Sequence, residues 1–312
     1  MTTEYDFADE EKLAVQDDKG RIVVQVGLRA TVYFANAHLP QTRDAVIACI
    51  ERFQSLFGPH LRWVAHPKSG KMYPRDSSRV PSLRTWMAQR ASNQAWEYYT
   101  HGGEQPEAAS HFLIEAFGPP DWEQALGHLS FALPLTWFAD HSGKFPDLVL
   151  EICNHLSPIH GYGGFGVMES FDIGVASVFQ PAVYAFTRRF PGLEVDRPVS
   201  HARYLKQGIK GINWLTLVGE RFLPKIGGVA GLRTTLGDDI SIREYAGGVL
   251  IQAGPRPRMG DANDGRTPEP YRRVANALRP IRVETVGSLH YAGGNRFTRE
   301  TSDEWLRRFD DP

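Results

Sequence analysis

The chain has 312 residues, enough for one large domain or two modest ones around a well-buried core. Hydrophobic residues make up 42% and charged residues 23%, a globular balance that excludes a chain disordered throughout. The 35 basic and 36 acidic residues leave a formal net charge of -1, which argues against a direct nucleic-acid binder, because such proteins gain affinity by neutralising phosphates with a basic excess.

Residues 1–20 form an acidic segment, with Glu4, Asp6, Asp9, Glu10 and Glu11 and without the basic and apolar regions that direct export. No apolar run approaches the roughly 20 residues of a spanning helix, so the expectation is a soluble, cytoplasmic protein with no membrane partner. Residues 21–35 alternate. Ile22, Val24, Val26, Leu28, Ala30, Val32 and Phe34 fall at period two and predict a strand with one core face. Its other face (Val23, Gln25, Gly27, Arg29, Thr31, Tyr33) is mixed, so it is partly covered or wet. A helix follows Pro40, with Thr42 as its cap and Val46, Ile50, Phe53 and Phe57 on one side. Gly58-Pro59 stops it, and 61–64 reads as a returning strand, a β-α-β opening.

Residues 66–81 read as a polar loop, and Ser82 caps a helix to 92. Strands are predicted at 95–100, 110–117 and 128–138, the last an edge or a bulge at Pro134. A helix is predicted at 145–156 and another at 178–189, with 213–218 a short strand or helix lead-in. Strands at 231–236, 240–245 and 249–253 are joined by hairpin turns at Gly237-Asp238-Asp239 and Ala246-Gly247-Gly248. After a polar loop at 255–268 come helices at 269–279 and 300–309, the last capped by Thr301 or Ser302. Hairpins outnumber crossovers, so the fold class is α+β, a mostly antiparallel sheet with packed helices. Residues 21–312 form one α+β domain on this reading. Two pseudo-repeated halves meeting near 158–175 are the alternative.

Chemistry-bearing motifs are sparse. Gly161-Tyr162-Gly163-Gly164-Phe165-Gly166 matches a dinucleotide fingerprint, but a helix rather than a strand precedes it. It reads as a glycine-rich bend between helix and strand, where missing side chains permit close backbone packing. Lys68-Ser69-Gly70-Lys71 lacks both the first glycine and the hydroxyl residue of a phosphate loop. Asp261-Ala262-Asn263-Asp264-Gly265 places its glycine one position early for a calcium loop, with Arg272 where the bidentate Glu belongs. Eleven histidines are scattered without zinc spacing. Cys49 and Cys153 sit in apolar helical contexts and read as buried thiols, without a disulfide framework. No catalytic residue, cofactor or metal is assigned. An enzyme remains the alternative only if His101, His111, Asp140 and His141 converge in a cleft. Arg256 and Arg258 read as part of a solvated loop.

The landmarks resemble a known family. The strand Val24-Gln25-Val26-Gly27-Leu28-Arg29-Ala30-Thr31-Val32-Tyr33-Phe34, the run His160 to Gly166, the stretch Gly211-Ile212-Asn213-Trp214-Leu215-Thr216 and the hairpins from Leu232 to Gln252 resemble, in this order, the TsiV-like type VI secretion immunity proteins. The resemblance spans the first strand to Pro280. It implies an immunity protein, not an enzyme, that binds a cognate effector toxin with a nuclease fold of the VRR-Nuc or restriction-endonuclease type. The antidote would occlude the toxin's active site or DNA groove. Near-neutral charge departs from the acidity of a DNA mimic and favours shape-specific binding through aromatic anchors. Candidate partner-binding residues are Trp96, Glu97, Tyr98 and Tyr99, which also read as a half-buried strand, and Asp238 and Asp239 at a hairpin tip.

Overall fold

The computed structural model describes residues 13–290 and 296–310. Most of the acidic segment, and Asp311, lie outside the described residues. In chain order the strands are β1 (Ala14–Gln16), β2 (Ile22–Phe34), β3 (Trp63–Ala65), β4 (Met72–Pro74), β5 (Trp96–His101), β6 (Leu113–Gly118), β7 (Gly127–Leu133), β8 (His160–Glu169), β9 (Leu215–Gly219), β10 (Ser241–Tyr245) and β11 (Gly248–Gln252). The helices are α1 (Pro40–Phe57), α2 (Leu83–Ala88), α3 (Leu135–Asp140), α4 (Lys144–Leu156), α5 (Ile173–Val178), α6 (Gln180–Arg189), α7 (Pro198–His201), α8 (Gly228–Leu236), α9 (Glu269–Leu278) and α10 (Arg299–Leu306). The fold is α+β. One sheet runs β10-β11-β9-β8-β2-β7-β6-β5-β3-β4, with β1 also on β2, and the paired strands are antiparallel.

The period-two pattern of β2 decides how the sheet is used. Leu28, Ala30, Val32 and Phe34 pair across the sheet with Leu133, Phe131, Leu129 and Gly127 of β7, which puts one apolar set on one face. Helices α1 and α4 cover that face: Phe53 and Phe145 flank Phe131 with ring centroids at 5.7 and 5.6 Å. Each such fully buried aromatic contributes roughly 1.5–3 kcal/mol. Cys49 and Cys153 lie buried in these two helices as free thiols, and burial pushes the Cys49 thiol up to about 12.

Several local expectations are corrected. Helix α1 starts at Pro40 itself, after Leu39 and without a side-chain cap, since proline's fixed φ opens the first turn; Thr42 is not the cap. Strand β3 pairs with β4 and β5 rather than returning beside β2, so no β-α-β unit forms, and β4 occupies part of the expected 66–81 loop. Strand β7 ends at Leu133. Pro134, which cannot donate to a ladder, stands at the N-cap of α3, so Leu135 and Trp137 are helical. Residues 231–236 belong to helix α8, where Leu232 and Leu236 bury one face at helical spacing. The stretch Gly237-Asp238-Asp239 thus joins a helix to β10 and is not a hairpin tip, while the turn at Ala246-Gly247 does close a hairpin. Thr298, not Thr301 or Ser302, caps α10.

The glycine run is the largest correction. It is not a bend but the body of β8, an interior strand between β2 and β9. Close approach explains its composition. A Cβ at Gly161 would meet the Leu217 side chain at 2.5 Å and the Thr31 carbonyl oxygen at 2.6 Å; at Gly164 it would meet the Asn213 side-chain oxygen at 2.1 Å.

Candidate functional site

The second face of β2 is polar and covered. Register sets Thr31 beside Tyr162 and Ser130, and Tyr33 beside His160 and His128. All six are buried, so their hydroxyls and rings need partners inside the protein. The segment after α6 supplies them. Asp196 accepts from Thr31 Oγ1 at 2.5 Å, from Tyr33 Oη at 3.2 Å and from Tyr162 Oη. Lys210 Nζ lies 3.4 Å from Asp196 and 2.7 Å from Glu194, and donates to the Val195 carbonyl at 2.6 Å. His160 Nε2 accepts from the Lys210 backbone N–H at 3.0 Å, and its Nδ1 donates to the Leu217 carbonyl at 3.0 Å, the pattern of a neutral ring. Burial drives the His160 pKa down to about 3. Burial alone would raise the Asp196 carboxyl, but Lys210, the His201 hydrogen bond and Arg29 outweigh it and hold it well below the usual carboxylate range. This carboxylate is saturated by donors, so it acts as a strut between sheet and cover.

Where the cover ends, the same face opens into a groove of about 910 Å³. Arg29 and Asp196 reach its floor from the network. Arg29 Nη2 donates to Glu115 at 2.6 Å. Burial would lower the Arg29 pKa, yet Glu115 and Asp196 raise it. Glu169 is gripped between Arg197 at 2.8 Å and His290 at 2.9 Å, which lowers its carboxyl against the effect of burial. His128 lines the groove at 2% exposure, pushed down to about 3 by burial, and its Nδ1 has no hydrogen-bond partner among the described residues. Glu97 and Tyr99 of β5 form one wall. At the mouth stand two exposed apolar side chains, Ile173 (61%) and Val199 (45%). Six carboxylates line the groove (Glu97, Glu107, Glu115, Glu169, Asp172, Asp196) against three permanent cations, Arg29, Lys71 and Arg197. That balance suits a cationic guest.

Strand alternation splits the aromatic candidates. Trp96 is buried at 1%, its Nε1 donating to the Ala37 carbonyl at 3.0 Å, so it offers no surface to a partner. Half-buried Tyr98 accepts from Gln54 of α1 at 2.6 Å. Only Glu97 and Tyr99 face the groove. Asp238 and Asp239 are exposed beside β10, the opposite end of the sheet, and Asp239 is paired with Arg273 of α9. The structure does not bring the two candidate stretches together. His101, His111 and His141 each engage the backbone, at Gly103 N, Val26 O and Trp137 O. Among the described residues no three His, Cys, Asp or Glu stand where they could hold a metal. Arg256 and Arg258 line a separate cavity of about 930 Å³, where Arg189 and Arg266 are paired with Asp261 and Asp264. None of the described helices is long and apolar enough to cross a membrane.

Residue-by-residue reading missed Asp196, Lys210, Glu115 and Glu169. A signal for them existed in the polar second face of β2, since Arg29, Thr31 and Tyr33 in an otherwise apolar strand demand buried partners.

Comparison with known proteins places this architecture. No curated protein matches the chain. Among solved structures it is similar to the Pseudomonas aeruginosa T6SS protein PA0821, at 28% identity and a TM-score of 0.86, over 96% of this chain and 88% of that one. A family profile, TsiV, described as type VI immunity for VRR-NUC, matches residues 45–309, from α1 through the end of the sheet to α10. The chain belongs to this TsiV family of type VI immunity proteins for VRR-NUC effectors.

Proposed function

We propose that this protein neutralises its cognate VRR-NUC effector by stoichiometric binding, without turnover, covering the toxin's active site or DNA groove. The family match over residues 45–309 is the observation that supports this reading. On it, the partner is a nuclease toxin and the antidote acts in the cytoplasm, where the nucleic acid to be protected lies. A net charge of -1 favours occlusion by shape over imitation of a polyanion. The experiment is co-expression of this chain with the effector encoded beside it, scoring growth and co-purification. Restored growth with a stable complex is the expected result. A toxic effector that is neither relieved nor bound would sink the reading.

A further inference from the structure

We infer that the groove walled by β5 and β6 and closed by residues 196–200 is the surface that takes the effector, and that it receives a lysine or arginine side chain flanked by apolar residues. This rests on the immunity reading and adds to it the site and the chemistry of the guest.

The pairing of charges within the groove carries the inference. Four of its six carboxylates already have cations: Glu115 has Arg29, Glu169 has Arg197, Asp196 has Lys210 and Glu107 has Arg21 at 3.1 Å. Asp172 is engaged in capping α5, accepting from Gly174 N and Val175 N at 2.8 and 3.2 Å. Glu97, exposed on the groove wall, has no hydrogen bond or ion pair from its carboxylate among the described residues, and partial desolvation there raises its pKa. A second group waits with it. His128, held neutral, has a buried Nδ1 without a hydrogen-bond partner among the described residues, and a neutral imidazole can offer a lone pair to a donor.

A guanidinium or ammonium entering here would meet the Glu97 carboxylate in a groove whose lining also includes the His128 ring. An anionic guest would face the unpaired Glu97 carboxylate, and a wholly apolar one would desolvate Glu97 without compensation. Ile173 and Val199 at the mouth complete the match. Apolar residues flanking the incoming cation would bury against them and exclude water, which strengthens the ion pair inside.

Isothermal titration of the full-length chain with its cognate effector tests this, using Glu97→Lys, Val199→Asp and, as a control of the same charge change outside the groove, Glu220→Lys. All three positions are exposed, and circular dichroism checks that each variant is folded. The expected result is binding weakened about tenfold or more by the two groove variants and unchanged in the control. A charge-reversal scan of effector lysines and arginines is expected to yield one substitution that restores binding to Glu97→Lys. Wild-type protein that fails to bind the effector at all would remove the immunity reading itself. Wild-type binding that both groove variants leave intact would overturn the groove alone. So would a wild-type dimer that Glu97→Lys disperses while effector affinity stays unchanged, since the groove would then serve a second copy of this chain.

Discussion

Lys210 stands 3.4 Å from Asp196 in a place that neither shares with solvent, their side chains being 1% and 0% exposed. The ammonium also serves Glu194, which Arg308 pairs at 3.4 Å from its other oxygen. Breaking such a pair from one side leaves uncompensated charge in a poorly polarisable interior. Lys210→Met is therefore expected to cost about 3–5 kcal/mol of stability. The double change Lys210→Met with Asp196→Asn is expected to cost less than the sum of the two single changes. Urea unfolding of the four proteins gives the coupling, and strict additivity would contradict a direct link between the two side chains.

Four buried histidines make stability depend on pH. Burial holds His128 and His160 down to about 3, and His101 and His201 down to about 4. In the unfolded chain each titrates near pH 6.5. As pH falls below that value the unfolded chain takes up protons that the folded protein refuses. Stability is thus complete above about pH 6.5 and declines toward pH 4, by up to about 1.4 kcal/mol per pH unit for each histidine. Asp196 and Glu169, with lowered pKa values, add a further loss below the ordinary carboxylate range; Glu115, raised by burial, works the other way. Urea midpoints at pH 7, 6 and 5 check this, and a flat profile would be the contrary result.

Gly164 has a packing role that a methyl group would expose. Its Cβ would lie 2.1 Å from the Asn213 side-chain oxygen, which itself accepts from Trp214 N at 2.7 Å. Gly164→Ala is expected to lower stability by about 1–3 kcal/mol, the usual cost of overpacking. At Gly211 a methyl group would meet nothing within 4 Å, so Gly211→Ala is expected to be near neutral. Thermal melts of the two variants make the comparison.

Adjacent residues of β5 should separate stability from binding. Trp96→Ala empties a buried site and removes the donor to Ala37, at a cost of about 3–5 kcal/mol. Glu97→Gln is expected to leave the unfolding midpoint nearly unchanged, within about 0.5 kcal/mol. Measured together by chemical denaturation, equal losses at both positions would contradict the placement of Glu97 on the groove wall.

Local pattern made much of this legible. The alternation in β2 predicts both its strand and its mixed second face, and local signals locate α4, α9 and, through the turn at Ala246-Gly247-Gly248, the β10–β11 hairpin. What escaped lies beyond local pattern. Thr31 meets Asp196 across 165 positions of sequence, a separation over which periodicity carries no information. Helix α8 looks strand-like at Thr234-Thr235, and only the burial of Leu232 and Leu236 on one side overrules that. The glycines of β8 resemble a bend until their neighbours are known, because the crowding that requires them comes from β2, Leu217 and Asn213. Of the six candidate binding residues, Glu97 and Tyr99 reach the groove because β5 turns every second side chain to that face.

The central strand also sets a schedule for synthesis. Strand β2 is complete at Phe34, yet its neighbours β7 and β8 begin only at Gly127 and His160. Until then β1, near Ile22 to Gln25, is the only strand of the described sheet available to pair with it. A nascent chain therefore carries a thirteen-residue strand with one wholly apolar face, most of whose backbone donors and acceptors have no ladder to join, for more than 90 residues of elongation. Such long-range closure makes folding slow and leaves an adhesive edge open to other chains. An antidote that must be ready before its toxin arrives thus depends on being made early and kept from aggregating while its sheet closes.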